Sequence, residues 1–247
     1  MSAEPTASRG RGLLVAASFL LIGPACGAGS PTEPESPAGV TIDFADPSGS
    51  FTQHRAAIVR LIEQTLDQAR TRLDVGVVAI VVSADPAGAI AGWGLGGYAP
   101  SGAAIDIAVD PSFPDLDSVL EARLPGLVAH EIHHVVRWRG PGYGVTLLEA
   151  LVSEGLADHF AVELLGVPVS PWSQAFPEAQ SARYLALAAP LLDNVVDHGA
   201  WFYGTTTQLP LWTGYTLGFR VVSAYQARTG LSAAQLVNTP ANAFRPE

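Results

Sequence analysis

The sequence contains no lysine. All thirteen basic residues are arginine, set against twenty-three acids, and the net charge is −10. A phosphate-cradling loop of the G-x-x-x-x-G-K-[ST] type is therefore impossible, so Gly92, Gly94, Gly96 and Gly97 are not read as one. The acidic balance argues against nucleic acids and anionic membrane surfaces as partners. Cysteine occurs once, at Cys26. One thiol closes no internal disulfide, so the fold must stand on its core, for which a hydrophobic content of 48% is ample. It also leaves histidine and carboxylate as the metal-binding groups of the folded part. No run is long enough to span a bilayer: LLVAASFLLI, at 13–22, has ten residues.

That run follows Arg9 and Arg11 and reads as the apolar segment of an export leader over residues 1–26. Cys26 is then a candidate lipid anchor, although Gly23 and Pro24 suit a lipobox poorly. Ordinary signal-peptidase cleavage nearby is the alternative. The lipoprotein reading is preferred because a polar tether follows the lone cysteine. Residues 27–39, GAGSPTEPESPAG, read as a disordered linker, and the folded domain as 40–247. The expected location is the cell envelope or the exterior, with membrane contact through Cys26 alone.

The densest chemistry lies at 129–162. His130-Glu131-Ile132-His133-His134 forms an H-E-x-x-H pattern on a predicted amphipathic helix that stops at Gly140-Pro141-Gly142. Residues four apart on a helix share a face, so His130 and His134 can grip one Zn²⁺. Glu131 then lies beside the metal, where it can take a proton from water. A catalytic zinc needs a third protein ligand. Glu154, twenty residues after His134 on the next predicted helix, is the best candidate, with Asp158 one turn further on to orient a ligating imidazole. Glu149 is a rival third ligand. Glu154 is preferred because Gly155 and Ala157 beside it allow close helix approach. His133 lies about 100° round the helix and reads as a packed residue, and His159 as facing elsewhere.

At these residues the chain resembles the gluzincin metallopeptidases. More narrowly, LVAHEIHHVVR, LLEALVSEGLADHFA, Pro171-Trp172 and PLWTGYTLGFRVV resemble the predicted Zn-dependent protease family DUF2268, over roughly residues 50–240. The resemblance implies an α+β, zincin-like fold: a small mixed sheet packed against helices, one bearing HExxH and the next ExxxD. It implies one zinc per chain on His130, His134 and Glu154, Glu131 as general base, and a peptide or protein substrate. Two rivals remain, a zinc hydrolase acting on a non-peptide amide or ester, and a non-catalytic metal-binding envelope protein. A base placed between two metal ligands speaks against the second.

Elsewhere, strands are predicted at 40–44, 75–83 and 104–110, and a helix at 52–73. The stretch 85–102 is rich in Gly, Pro and Ala, holds Trp93 and Tyr98, and carries no strand prediction. On the resemblance, the strand at 104–110 or its neighbour is the peptide-binding edge; read alone, 104–110 is equally a plain sheet strand. Residues 115–123 read as a short helix, after which Pro125 opens the metal-binding helix. His198 reads as a loop residue, and Tyr203 and Tyr215 as core aromatics. Each of the three is also a candidate for stabilising an oxyanion.

Overall fold

The computed structural model describes residues 39–246. The expected leader, Cys26 and nearly all of the expected linker lie outside the described residues. Four strands form one mixed sheet in the order β1-β2-β4-β3: β1 (Val40–Ala45), β2 (Val78–Ala84), β3 (Leu95–Ser101) and β4 (Ala104–Val109). β1, β2 and β4 run parallel, and β3 returns antiparallel to β4 at the edge. The β-branched run of β2 sits between two neighbours, as its apolar composition requires.

β3 lies in the stretch 85–102, where no strand is predicted. Its Gly-Gly and Pro lower strand propensity, and pairing with β4 overrides them. That pairing makes β4 an interior strand and leaves β3 at the border.

Helix α1 (Arg55–Arg70) packs on α2 (Leu116–Trp138), and α2 lies against β3 and β4. α2 is one helix rather than the expected two, since Pro125 lies inside it. Proline removes the bond to the carbonyl four residues back, at Glu121, which is exposed and open to water. Helix α3 (Leu147–Leu165) is fixed at both ends. Thr146 and Glu149 form a reciprocal capping box, and Gly166 closes the helix at φ 65°. Then come α4 (Ser181–Ala188), α5 (His198–Phe202), α6 (Thr213–Thr229) and α7 (Ala233–Leu236). His198 therefore opens a short helix, capped by Asp197, rather than lying on a loop.

Gly155 works differently from its expected role. A Cβ there would stand 2.2 Å from the Gly218 carbonyl oxygen, so this glycine lets α6 cross α3 closely and does not bring α3 toward α2. Among the described residues, no helix is long and apolar enough to cross a membrane.

Arg137, 1% exposed, ties α2 to the end of the chain. Its Nε donates to Ser153 Oγ at 3.1 Å, and its Nη1 to the carbonyls of Val237 at 2.9 Å and Thr239 at 3.1 Å. Burial lowers its pKa to about 10, which still leaves it charged at neutral pH. Arg137→Met should cost about 2–4 kcal/mol through the buried acceptors it strands. A fall in the urea midpoint at unchanged slope would register this, and an unchanged midpoint would count against the clamp.

Candidate metal centre

α2 places His130 and His134 one turn apart, with their Nε2 atoms 2.9 Å from each other and their rings nearly perpendicular. α3 carries Glu154 up to the pair. Its Oε2 lies 3.2 Å from His130 Nε2 and 3.4 Å from His134 Nε2. All three side chains are buried, and that oxygen accepts no well-formed hydrogen bond. Together they could hold a metal ion.

The edges of this triangle suit such an ion. Tetrahedral bonds of about 2.0–2.2 Å require ligand separations of about 3.3–3.5 Å, and two of the three edges are within a few tenths of that range while the third is shorter. The electrostatics agree. Burial opposes charge on His130, yet Asp158 and Glu154 outweigh it and raise its pKa well above the ordinary imidazole value. Burial likewise opposes ionisation of Glu154, and the two imidazoles reverse this and hold its carboxyl well below the usual range. The carboxylates here thus favour a positive charge at this point, whether a proton or a metal.

Supporting contacts hold the cluster. His130 Nδ1 meets Asp158 Oδ1 at 2.8 Å. A carboxylate only accepts, so this nitrogen carries the proton and neutral His130 turns the lone pair of Nε2 inward. Asp158 also accepts from Trp172 Nε1, at 3.1 Å and 3.0 Å to its two oxygens, and from Ser173 Oγ. The Tyr143 hydroxyl donates to Glu154 Oε1 at 2.5 Å. Burial raises the Tyr143 pKa, so the group keeps its proton and remains a donor. Among the described residues, His134 Nδ1 finds no hydrogen-bond partner.

Glu131 stands beside the triad. Burial raises its carboxyl pKa above the ordinary value, against the pull of the two imidazoles. A Cβ on Gly97 of β3 would come within 2.5 Å of Glu131 Oε1, so only glycine leaves room for this carboxylate. A cleft of about 360 Å³ opens over the cluster, walled by Tyr98, Trp138, Tyr143, His198, Tyr203 and Tyr215. Tyr203 and Tyr215 therefore face this cleft rather than serving as core alone, and Tyr203 is 60% exposed.

Glu149 is elsewhere. Its Oε2 accepts from the amides of Val145 and Thr146, which removes it as a ligand. The T-x-x-E spacing before an apolar run already signalled a capping box. His133 is fully buried against Phe160, and His159 bonds the Phe219 carbonyl and Ser223 on α6. Tyr143, Trp172 and Ser173 join the site without a mark in the sequence. No spacing rule marks them, and only Pro171-Trp172 figured at all, through the resemblance.

A family model described as "Predicted Zn-dependent protease (DUF2268)" matches residues 60–245. The chain belongs to this family. It is similar to the uncharacterized protein YjaZ of Bacillus subtilis (strain 168), at 31% identity over 144 residues that make up 55% of each chain. It is also similar to the uncharacterized protein YjfC of the same organism, at 27% identity over 118 residues, 42% of this chain and 40% of that one. The chain thus spans about half the length of the curated relatives it matches. No solved structure matches it. The family's description names zinc, and the three buried donors fit that ion.

Tyr143 should matter to the metal although it touches only a ligand. Its hydroxyl fixes the Glu154 carboxylate so that Oε2, not Oε1, faces the histidines. Tyr143→Phe keeps the ring packing and should weaken zinc binding about 10- to 100-fold, as read by chelator competition. Unchanged affinity would leave the hydroxyl without this role.

Proposed function

We propose that the protein is an exported zinc metallopeptidase with a zincin-like fold. The observation that carries this reading is the buried convergence of His130, His134 and Glu154 at the floor of a cleft, with Glu131 alongside. The family description supports a zinc-dependent protease. The leader read at 1–26 supports export, and we take 40–247 as the catalytic domain. Bound at these three residues, zinc would supply Lewis acidity toward water and the substrate carbonyl.

Glu131 is the general base. Burial raises its carboxyl pKa, which favours taking a proton from the attacking water, and the same carboxyl can return it to the leaving amine. Asp158 keeps His130 in the tautomer that presents Nε2. His198, Tyr203 and Tyr215 line the same cleft, and any of the three hydroxyl or imidazole groups can donate to a developing oxyanion.

β3 is the edge on which an extended substrate would lie. The Asp110 amide donates to the Gly94 carbonyl, so the main-chain groups of residues 94, 96 and 98 face β4, while those of 95, 97 and 99 face outward. The outward carbonyl of Leu95 is taken by the Ile90 amide at 3.0 Å, and that of Ala99 by the Trp138 indole at 2.9 Å. Between them, the N–H and C=O of Gly97 remain for a substrate main chain, directly beside Glu131.

Glu131→Gln should retain one zinc per chain and lose at least about 10²-fold in peptide hydrolysis, the scale of a lost general base. His134→Ala should lose the metal. Metal analysis paired with cleavage assays of a denatured protein substrate reads both. An active Glu131→Gln enzyme would remove this mechanism.

A further inference from the structure

Past Glu131 the cleft continues into a second cavity of about 460 Å³. Its surface is mostly apolar, from the loop 87–91 with Ile90, then Leu127, Trp172, Leu211 and Trp212, with His130, Tyr203 and Tyr215 toward the first cleft. Among its described lining residues Glu131, at the mouth shared with the first cleft, is the only carboxylate, and there is no arginine. A cavity of about 150 Å³ already admits benzene, so this one takes a phenyl or indole group with room for main chain. An acidic side chain would be held next to Glu131 and repelled, and a small one would leave the apolar walls wet.

A second observation concerns the wall itself. Trp212 sits at φ 66° and ψ 20°, in the left-handed region, at the residue preceding α6. Among the described residues, the other non-glycine residue with positive φ is Asp115, a type that tolerates it better. A bulky residue held in a strained backbone state marks a place where the side chain is needed. The Trp212 indole stands edge-on to Trp172, with ring centroids 6.4 Å apart. Trp172 in turn meets Trp93 at 4.9 Å and donates to Asp158, which holds His130. Leu211 next to it is 48% exposed at the cavity rim, an arrangement that costs apolar hydration until something covers it.

We propose that this cavity is the subsite for one bulky apolar side chain, aromatic or branched aliphatic, on the substrate residue flanking the cleaved bond, and that Trp212 and Leu211 set the preference. The proposal rests on the hydrolase reading above and adds the class of substrate.

The test uses the zinc-loaded full chain and a peptide series identical except for Phe, Leu, Ala, Asp or Arg at one position, with cleavage sites mapped by mass spectrometry. The expected result is cleavage next to Phe and Leu, with kcat/KM for the Phe peptide at least tenfold above that for the Ala peptide. In Trp212→Gly that ratio falls toward one, while the melting temperature does not fall, because glycine relieves the backbone at φ 66°. Leu211→Asp, at an exposed position, should lower the same ratio if the first variant folds poorly. Equal cleavage beside Asp, Arg and Phe, or an unchanged ratio in both variants, overturns the subsite. If the wild type cleaves no peptide, the hydrolase reading falls and the subsite is judged by calorimetry of the same peptides on Glu131→Gln. At least tenfold tighter binding of the Phe peptide than of the Ala peptide supports it, and equal binding overturns it.

Discussion

Three electron-pair donors aimed at one point in a buried setting form an arrangement that a folded chain does not hold without reason. His130 Nε2, His134 Nε2 and Glu154 Oε2 lie within 3.4 Å of one another with water largely excluded. Each would be better solvated apart, and an unpaired buried oxygen is costly. The geometry persists because the surroundings over-determine it. The pitch of α2 sets the imidazole pair, Asp158 fixes one ring, and Tyr143 fixes the carboxylate. A positive charge at the centre turns this frustrated cluster into a satisfied one, so the fold and its ion are linked.

The scaffold concentrates its buried polar groups along this line. Arg137 bonds Ser153, and Ser153 donates to the Tyr143 carbonyl at 2.5 Å, so the main chain that carries the Tyr143 hydroxyl is anchored through the interior of α2 and α3. The 140–144 connector is glycine-rich and would otherwise be free to move. Here Tyr143 holds it at two points: its carbonyl accepts from Ser153, which Arg137 backs, and its hydroxyl donates to the Glu154 carboxylate. On the opposite side of the site, Gly97 gives up its side chain so that the β3 border can approach Glu131. One wall is made rigid by polar contacts, the other made close by the lack of a side chain.

Much of this was legible in the sequence, for definite reasons. Helical period fixes the relation of His130 to His134 and of Glu154 to Asp158, because each pair lies within one helix and depends on no distant contact. The α3 ends rest on local chemistry, Gly166 at the close and the box of Thr146 and Glu149 at the start, but the box goes unmarked where Glu149 is taken for a rival ligand. What was not legible depends on pairing or crossing between separate elements. β3 is stabilised by β4 and not by its own Gly-Gly-Tyr-Ala-Pro composition. Pro125 was read as a helix start because local rules favour it there, whereas packing carries α2 straight through it. Gly155 is a close-approach residue, as its size suggests, but its partner is α6 and not α2, and nothing local distinguishes the two. Tyr143 reaches Glu154 from a loop, where no period governs direction.

The two halves of the cleft are mechanically joined through Trp172. One edge of its indole donates to Asp158, and its faces and remaining edges meet Trp93, Trp212 and Tyr215. Any shift of this ring to suit a ligand in the apolar cavity also moves the group that orients His130. That coupling makes Trp172 a poor position at which to separate recognition from chemistry. Trp212 is the better one, because it touches the metal support only through its neighbour and its strain belongs to its own backbone. On the proposed reading, Trp172 belongs to both the metal support and the pocket while Trp212 belongs to the pocket alone, so the pocket can vary there with less disturbance of His130.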